Sequence, residues 1–205
     1  MKGLHWVAVL CFCWLIVQLA GCASYASFQT AQTTSNGELS ATGGIGYHEE
    51  GEEPHLNLSM RYGLADSVDI GVVYNQTQNG STLVMADVKL SVKSNSPGFH
   101  HAVGFGVSPI FNEYEGLAFH APYFASFYTP HERLAVYLNP RLIYYIDMRD
   151  NPENSNTGLG FGTSVGLKIG KKFSVLPEWS FLAGQFDNRF EVNNLLSIGF
   201  GINVY

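Results

Sequence analysis

Apolar and polar residues alternate along most of this chain. Leu56, Leu58, Met60, Tyr62 and Leu64 occupy every second position, with Asn57, Ser59, Arg61 and Gly63 between them. Val68, Ile70, Val72 and Tyr74 alternate in the same way, as do Val84, Ala86, Val88, Leu90 and Val92. Period two sends successive side chains to opposite faces, which is the mark of a strand. Carried along the chain, the count predicts ten strands, over 37–47, 55–64, 68–75, 82–93, 99–108, 117–129, 133–146, 157–169, 172–183 and 194–205. No segment carries a helical period.

The connections add the topology. Short links such as Ala65-Asp66-Ser67 and Gly170-Lys171 alternate with longer ones, over 48–54, 109–116, 147–156 and 183–193. Short turns at one end and long loops at the other are the pattern of an up-and-down transmembrane barrel. The expected fold is therefore all-β, an antiparallel transmembrane β-barrel of about ten strands. An even strand number puts both chain ends on the short-turn side.

Alternation alone does not say which face meets lipid, since a soluble lipid-binding barrel alternates with its apolar side chains inside. The polar parity decides. A water-facing surface carries Lys, Arg, Glu and Asp at roughly a quarter to a third of positions. Here that parity reads Gly158, Gly160, Gly162, Ser164, Gly166 and Lys168 in one strand, against Leu159, Phe161, Val165, Leu167 and Ile169. Small residues suit a crowded lumen and the apolar parity suits lipid. Composition agrees: only 14% of residues are charged, 14% are aromatic and 22 are glycine, where soluble domains carry roughly 25% charge. The formal net charge of −6 argues against nucleic acid as a partner, which selects basic patches.

The N-terminus has a different character. Lys2 precedes an apolar run from Trp6 to Val17, shorter than the roughly 20 residues a spanning helix needs but suited to a secretory signal. The run closes with Leu19-Ala20-Gly21-Cys22, which resembles the bacterial lipoprotein lipobox. That resemblance implies cleavage before Cys22 and acylation of its thiol, and Ala23 after it implies transport to the outer membrane. Cys11 and Cys13 would leave with the signal, so Cys22 would be the one cysteine of the mature chain. The expected division is a lipoprotein signal peptide over 1–21, a polar tether over 22–36 and a barrel over 37–205. The tether, rich in Ser, Thr and Gln, is expected to lie against the inner leaflet on the periplasmic side. At the other end, Ser197, Gly199, Ile202, Val204 and Tyr205 resemble the C-terminal targeting strand of outer-membrane barrels. This implies recognition by the barrel-insertion machinery.

Candidate chemistry is sparse. Arg61, Asp69, Asp87, Lys89, Lys93, Arg141, Lys168 and Glu178 fall on lumen parity with both signs present. Pairing Leu64 with Val68 sets Arg61 opposite Gly71 and diagonal to Asp69, within reach of a long side chain. An eight-stranded barrel is just filled by its side chains and an open channel takes roughly sixteen strands, so these charges are expected to form a paired, plugging network. His120 and Ser126 share a face but lie about 20 Å apart along a strand, too far for a local dyad. Asp147 and Asp150 fall in a loop beyond His120, and outer-membrane acylases and omptin-type proteases use such residues at the barrel mouth, without a specific motif of theirs here. No catalytic, cofactor or metal site is assigned, and Cys22 is the one modification site. The functional expectation is an outer-membrane lipoprotein barrel with a structural or surface-interaction role, its surface ligand unspecified. A small barrel hydrolase or a soluble periplasmic lipid-binding barrel are the alternatives. Tyr47, Tyr62, Tyr74, Tyr123, Phe127, Tyr144 and Trp179 lie near strand ends, as interfacial girdles do.

Overall fold

The computed structural model describes residues 26–48, 54–77, 82–92, 94, 98–110, 116–148, 157–186 and 189–204. Among them lie eleven strands: β1 (Leu39–His48), β2 (Pro54–Ala65), β3 (Val68–Thr77), β4 (Thr82–Val92), β5 (Phe99–Ile110), β6 (Gly116–Tyr128), β7 (Leu134–Leu138), β8 (Arg141–Asp147), β9 (Thr157–Ile169), β10 (Phe173–Phe186) and β11 (Arg189–Val204). Each pairs antiparallel with its neighbours, and β11 pairs with both β10 and β1. The sheet therefore closes on itself and leaves no edge, as backbone in hydrocarbon requires.

Strands β7 and β8 lie end to end between β6 and β9 and together form one of ten staves. The break falls at Asn139-Pro140, because proline has no amide hydrogen to give to the ladder. Hydrogen bonding continues around it. Asn139 N donates to Ser164 O at 2.8 Å, Ser164 N returns a bond to Asn139 O at 3.2 Å, and Tyr123 N donates to Pro140 O at 2.8 Å. The expected strand over 133–146 is thus interrupted at a residue whose side chain is turned to other use.

The expected loop over 183–193 is corrected in the same way. Strands β10 and β11 continue through it until Phe186 faces Arg189. Ala183, Gly184 and Gln185 have low strand propensity, which hides this hairpin from the sequence. In the β2–β3 hairpin the pairing shifts between Gly63 and Ala65, so Ala65, not Leu64, faces Val68. Arg61 still faces Gly71.

The outer surface is apolar. Leu56, Leu58, Met60, Tyr62 and Leu64 on β2 alternate with buried His55, Asn57, Ser59 and Arg61. The same holds for Leu159, Phe161, Val165 and Leu167 on β9 and Leu196, Ile198 and Phe200 on β11, all exposed to the exterior. Polar side chains inside and apolar ones outside are the reverse of a soluble lipid-binding barrel, so that alternative does not describe this chain. Tyr62 and Phe127 stand exposed near the short-turn end, and Tyr47 and Tyr144 near the loop end, as two girdles. Tyr74 differs from the girdle expectation: it is buried, 5% exposed, and donates to Gln76 Oε1 at 3.0 Å.

Leu58 sits mid-strand on the lipid-facing parity. Leu58→Arg is expected to cost about 2–4 kcal/mol of folding free energy, the range for a cation near the bilayer midplane. Urea titration in lipid vesicles measures it, and a loss below about 0.5 kcal/mol would contradict this placement.

Candidate functional site

The segment expected to lie as a tether along the membrane is inside the barrel. Its described part, from Ala26, runs down the lumen to the short-turn end, where Gly37 adopts a φ of 78° that costs glycine nothing. Gly37 N there donates to Gly63 O at 2.9 Å and Glu38 N to Ser35 O at 3.0 Å. Ser35 packs so close to Gly63 that any side chain there would overlap it. The chain then reverses into β1. Polar composition without a period gave no sign of this, because the segment forms no ladder and its bonds go to side chains.

Those bonds descend as a series. Asn57 Nδ2 donates to Ala26 O at 3.0 Å. Asn139 Nδ2 donates to Ser27 Oγ and to Gln29 O, each at 2.7 Å. Lys89 Nζ donates to Thr30 O at 3.2 Å and to Gln32 O at 2.8 Å. In the other direction, Ala31 N donates to Ser126 Oγ at 2.8 Å and Thr34 N to Asp69 Oδ2 at 2.8 Å. Thr33 Oγ1 donates to Asp66 O at 2.8 Å beside the β2–β3 turn. Buried main-chain groups must find partners away from water, and here the barrel wall supplies them.

Glu178 on β10 is the tightest fixing point. Its carboxylate is 2% exposed. It accepts from Ser27 N at 2.6 Å, Phe28 N at 2.8 Å, Ser27 Oγ at 3.1 Å, Tyr137 OH at 2.9 Å and Ser180 Oγ at 2.9 Å. These donors are neutral, and two successive amides converge on one carboxylate as in an anion-binding nest. The nest requires a bend, and Phe28 has a φ of 43°, an outlier for a bulky residue that persists only where its surroundings over-determine it. The Phe28 ring is 3% exposed and clusters with Ala26, Tyr137, Leu176 and Leu195. It lies over Gly44 of β1 and Gly199 of β11, where an added methyl would come within 2.8 Å of the ring or nearer. Three residues on, Ala31 is fully buried against Ala102 and Phe124.

Below this level the charges pair. Arg61 Nη2 lies 2.5 Å from Asp69 Oδ1 and Arg61 Nη1 lies 2.7 Å from Asp87 Oδ1. Lys89 Nζ is 3.5 Å from Asp69 Oδ2 and sits 5.5 Å from the centroid of the Phe124 ring. Arg61 Nη1 also reaches Gln29 Oε1 of the segment at 3.2 Å. The paired network expected from parity is therefore present for Arg61, Asp69, Asp87 and Lys89. Glu178 stands apart from it, on the segment's own amides. Arg141 and Lys168 are half-buried, and Lys168 lies 5.9 Å from the Tyr128 ring centroid. At the turn end the segment and barrel enclose a mouth of ≈ 490 Å³ lined by hydroxyl, amide and oppositely charged side chains, among them Thr33, Ser40, Asp66, Glu132, Lys168 and Asn203.

The histidines are arranged differently from the sequence reading. Ser126 is bonded to the segment, and His120 Nε2 instead meets Ser108 Oγ at 2.8 Å across the β5–β6 pair. Ser108 is fully buried, and His120 Nδ1 has no hydrogen-bond partner among the described residues. A nucleophile and base need a third group to orient the base, and the described residues place none on Nδ1. Asp147 pairs with Gly116 at the loop end of β8. Cys22, Lys93 and Asp150 lie outside the described residues, as do loop residues 49–53, 111–115, 149–156 and 187–188.

No protein-family model and no curated protein sequence matches the chain. Solved structures do. The chain is similar to the NanC porin with a TM-score of 0.54 and 10% identity, over 79% of this chain and 98% of that one. It is similar to the N-terminal β-barrel domain of Pseudomonas aeruginosa OprF with a TM-score of 0.41 and 12% identity, over 82% and 98%. It is also similar to the Yersinia pestis outer membrane protein Ail with a TM-score of 0.38 and 12% identity, over 82% and 100%. The likeness to NanC supports the outer-membrane barrel fold and extends no further.

Removing the cation at the centre of the lumen network would take from Asp87 its ion pair with Arg61 and leave Asp69 with Lys89 alone. Arg61→Met is expected to cost about 3–5 kcal/mol, the penalty for breaking a buried ion pair from one side. Chemical denaturation in detergent micelles measures it, and a change within about 0.5 kcal/mol would contradict the network's burial.

Proposed function

We propose that this protein is an outer-membrane β-barrel lipoprotein with a structural or surface-interaction role, whose lumen its own N-terminal segment closes whenever Cys22 is not drawn to the inner leaflet. The observation that carries the closed lumen is the seating of residues 26–35 on Glu178, Lys89, Ser126 and Asp69. The apolar exterior supports a membrane location. The loops at the end opposite the short turns are the surface offered to partners. The C-terminal strand, apolar at Leu196, Ile198, Phe200, Ile202 and Val204, is proposed as the element read by the barrel-insertion machinery.

Acylation of Cys22 remains part of the proposal, on the lipobox alone. It meets a geometric condition. At Ala26 the segment lies at the level of Asn57, six positions up β2 from Gly63, or about 15 Å along the axis for a tilted strand. Four residues span at most about 14 Å. Even doubled back and fully extended through a lumen the segment already fills, those four residues would fall short of the turn end. Seating of 26–35 and an acyl anchor in the inner leaflet are thus alternative states, and acylation would draw Ser27 and Phe28 off Glu178.

Planar-bilayer recording tests the closure. The non-acylated Cys22→Ala protein is expected to give no conductance steps, and its combination with Phe28→Ala and Glu178→Gln to give small fluctuating ones. Steady conductance from the Cys22→Ala protein would contradict a closed lumen. Labelling with palmitate is expected in the outer-membrane fraction for the native chain and absent from Cys22→Ala. Label that survives the substitution would refute the lipidation site.

A further inference from the structure

The groups that hold residues 26–35 read main chain far more than side chain. Glu178, Ser126 and Asp69 accept from the amides of Ser27, Phe28, Ala31 and Thr34. Asn57, Asn139 and Lys89 donate to the carbonyls of Ala26, Gln29, Thr30 and Gln32. All belong to the barrel wall, and any peptide that adopts the same bend at the Phe28 position presents the same amides and carbonyls. Steric selection of side chains rests on a slot over Gly44 and Gly199 that takes the Phe28 ring, and on a fully buried contact of Ala31 with Ala102 and Phe124. With the segment withdrawn, Glu178 loses both amide donors and Lys89 both carbonyl acceptors. The empty lumen would then hold charged groups aimed at where a peptide backbone lies.

We propose that the lumen is a peptide-binding site for a polypeptide that bends at an aromatic residue and carries a small residue three positions on. Residues 26–35 are its resident ligand. A peptide of the same pattern, supplied by another chain through the turn-end mouth, takes the site when the resident segment leaves. This rests on the closed-lumen reading above and adds to it the class of ligand. A polar residue between the two anchors and another beyond them suit the site, since Gln29 Oε1 accepts from Arg61 and Thr34 Oγ1 lies 3.0 Å from Ser40 Oγ. A β-branched or bulky residue in place of Ala31 would overfill the Ala102 pocket.

Exchange measures this on the folded protein. A protease site placed between Asn36 and Gly37, both exposed, in a full chain carrying Cys22→Ser allows the segment to be cut after folding. The cut protein is then incubated with excess fluorescein-labelled peptide of residues 26–36. The labelled peptide is expected to replace the resident segment and bind saturably. Versions with Phe28→Ala or Ala31→Leu are expected to bind at least tenfold more weakly, and a scrambled peptide not to bind saturably. Equal binding of the native and scrambled peptides would overturn the proposal. So would failure of the labelled peptide to enter after the segment has dissociated, or a cut segment that never exchanges, which would make it a permanent part of the core. Conductance of the uncut Cys22→Ala protein separates the readings: leakage there defeats the closed lumen, whereas exchange failure with a tight barrel defeats peptide recognition alone.

Discussion

The seating of the N-terminal segment in this barrel depends on a carboxylate that has no cation partner among the described residues. Glu178 is buried and bonded to two amides of the N-terminal segment, two hydroxyls of the wall and the Ser27 hydroxyl. A carboxylate removed from water needs either a counter-charge or a full set of donors, and among the described wall residues Tyr137 and Ser180 donate to it. The rest come from the segment. The requirement is mutual, because Ser27 and Phe28 amides buried in a lumen would otherwise be orphaned. That reciprocity fixes the Phe28 bend, and the bend sets the ring over Gly44 and Gly199 and delivers Ala31 to its pocket.

A second constraint comes from the barrel's width. Ten staves enclose more space than wall side chains fill, and less than an open channel needs. Gly44 and Gly199 leave room on the wall for the Phe28 ring beside Tyr137, Leu176 and Leu195, whereas Arg61, Lys89 and Asn139 fill the interior elsewhere. The glycine-rich lumen parity is therefore the complement of the segment as well as a response to crowding. Because the wall recognises main chain, the same complementarity reads equally as a receptor for a foreign peptide.

The fold was legible because period-two alternation is a direct consequence of the pleat, and because lipid outside and polar side chains inside leave opposite compositions on the two parities. Arg61 and Asp69 were legible as neighbours for the same reason, and the one-position slip at Gly63 and Ala65 did not part them. The lumen segment was not legible. A chain of Ser, Thr, Gln and Ala reads as a solvated link, and nothing local marks it as buried, since its partners are wall side chains between 30 and 150 residues away. Phe28 was the available signal, one of two aromatics, with Tyr25, in a polar stretch. The Ser108–His120 contact was missed because it crosses two strands diagonally, whereas the reading along one strand reached only Ser126. The break at Asn139-Pro140 was visible as a proline inside a predicted strand, but its use in holding Ser27 and Gln29 was not.

Native-state hydrogen exchange of the non-acylated protein in lipid bilayers tests the central claim most directly. The amides of Ser27, Phe28, Ala31 and Thr34 each have a buried or part-buried acceptor on the barrel wall. They are predicted to exchange as slowly as the strand amides of β10 and β11. Exchange at the rate of a free peptide, while the strands stay protected, would contradict a lumen closed by the chain's own N-terminal segment.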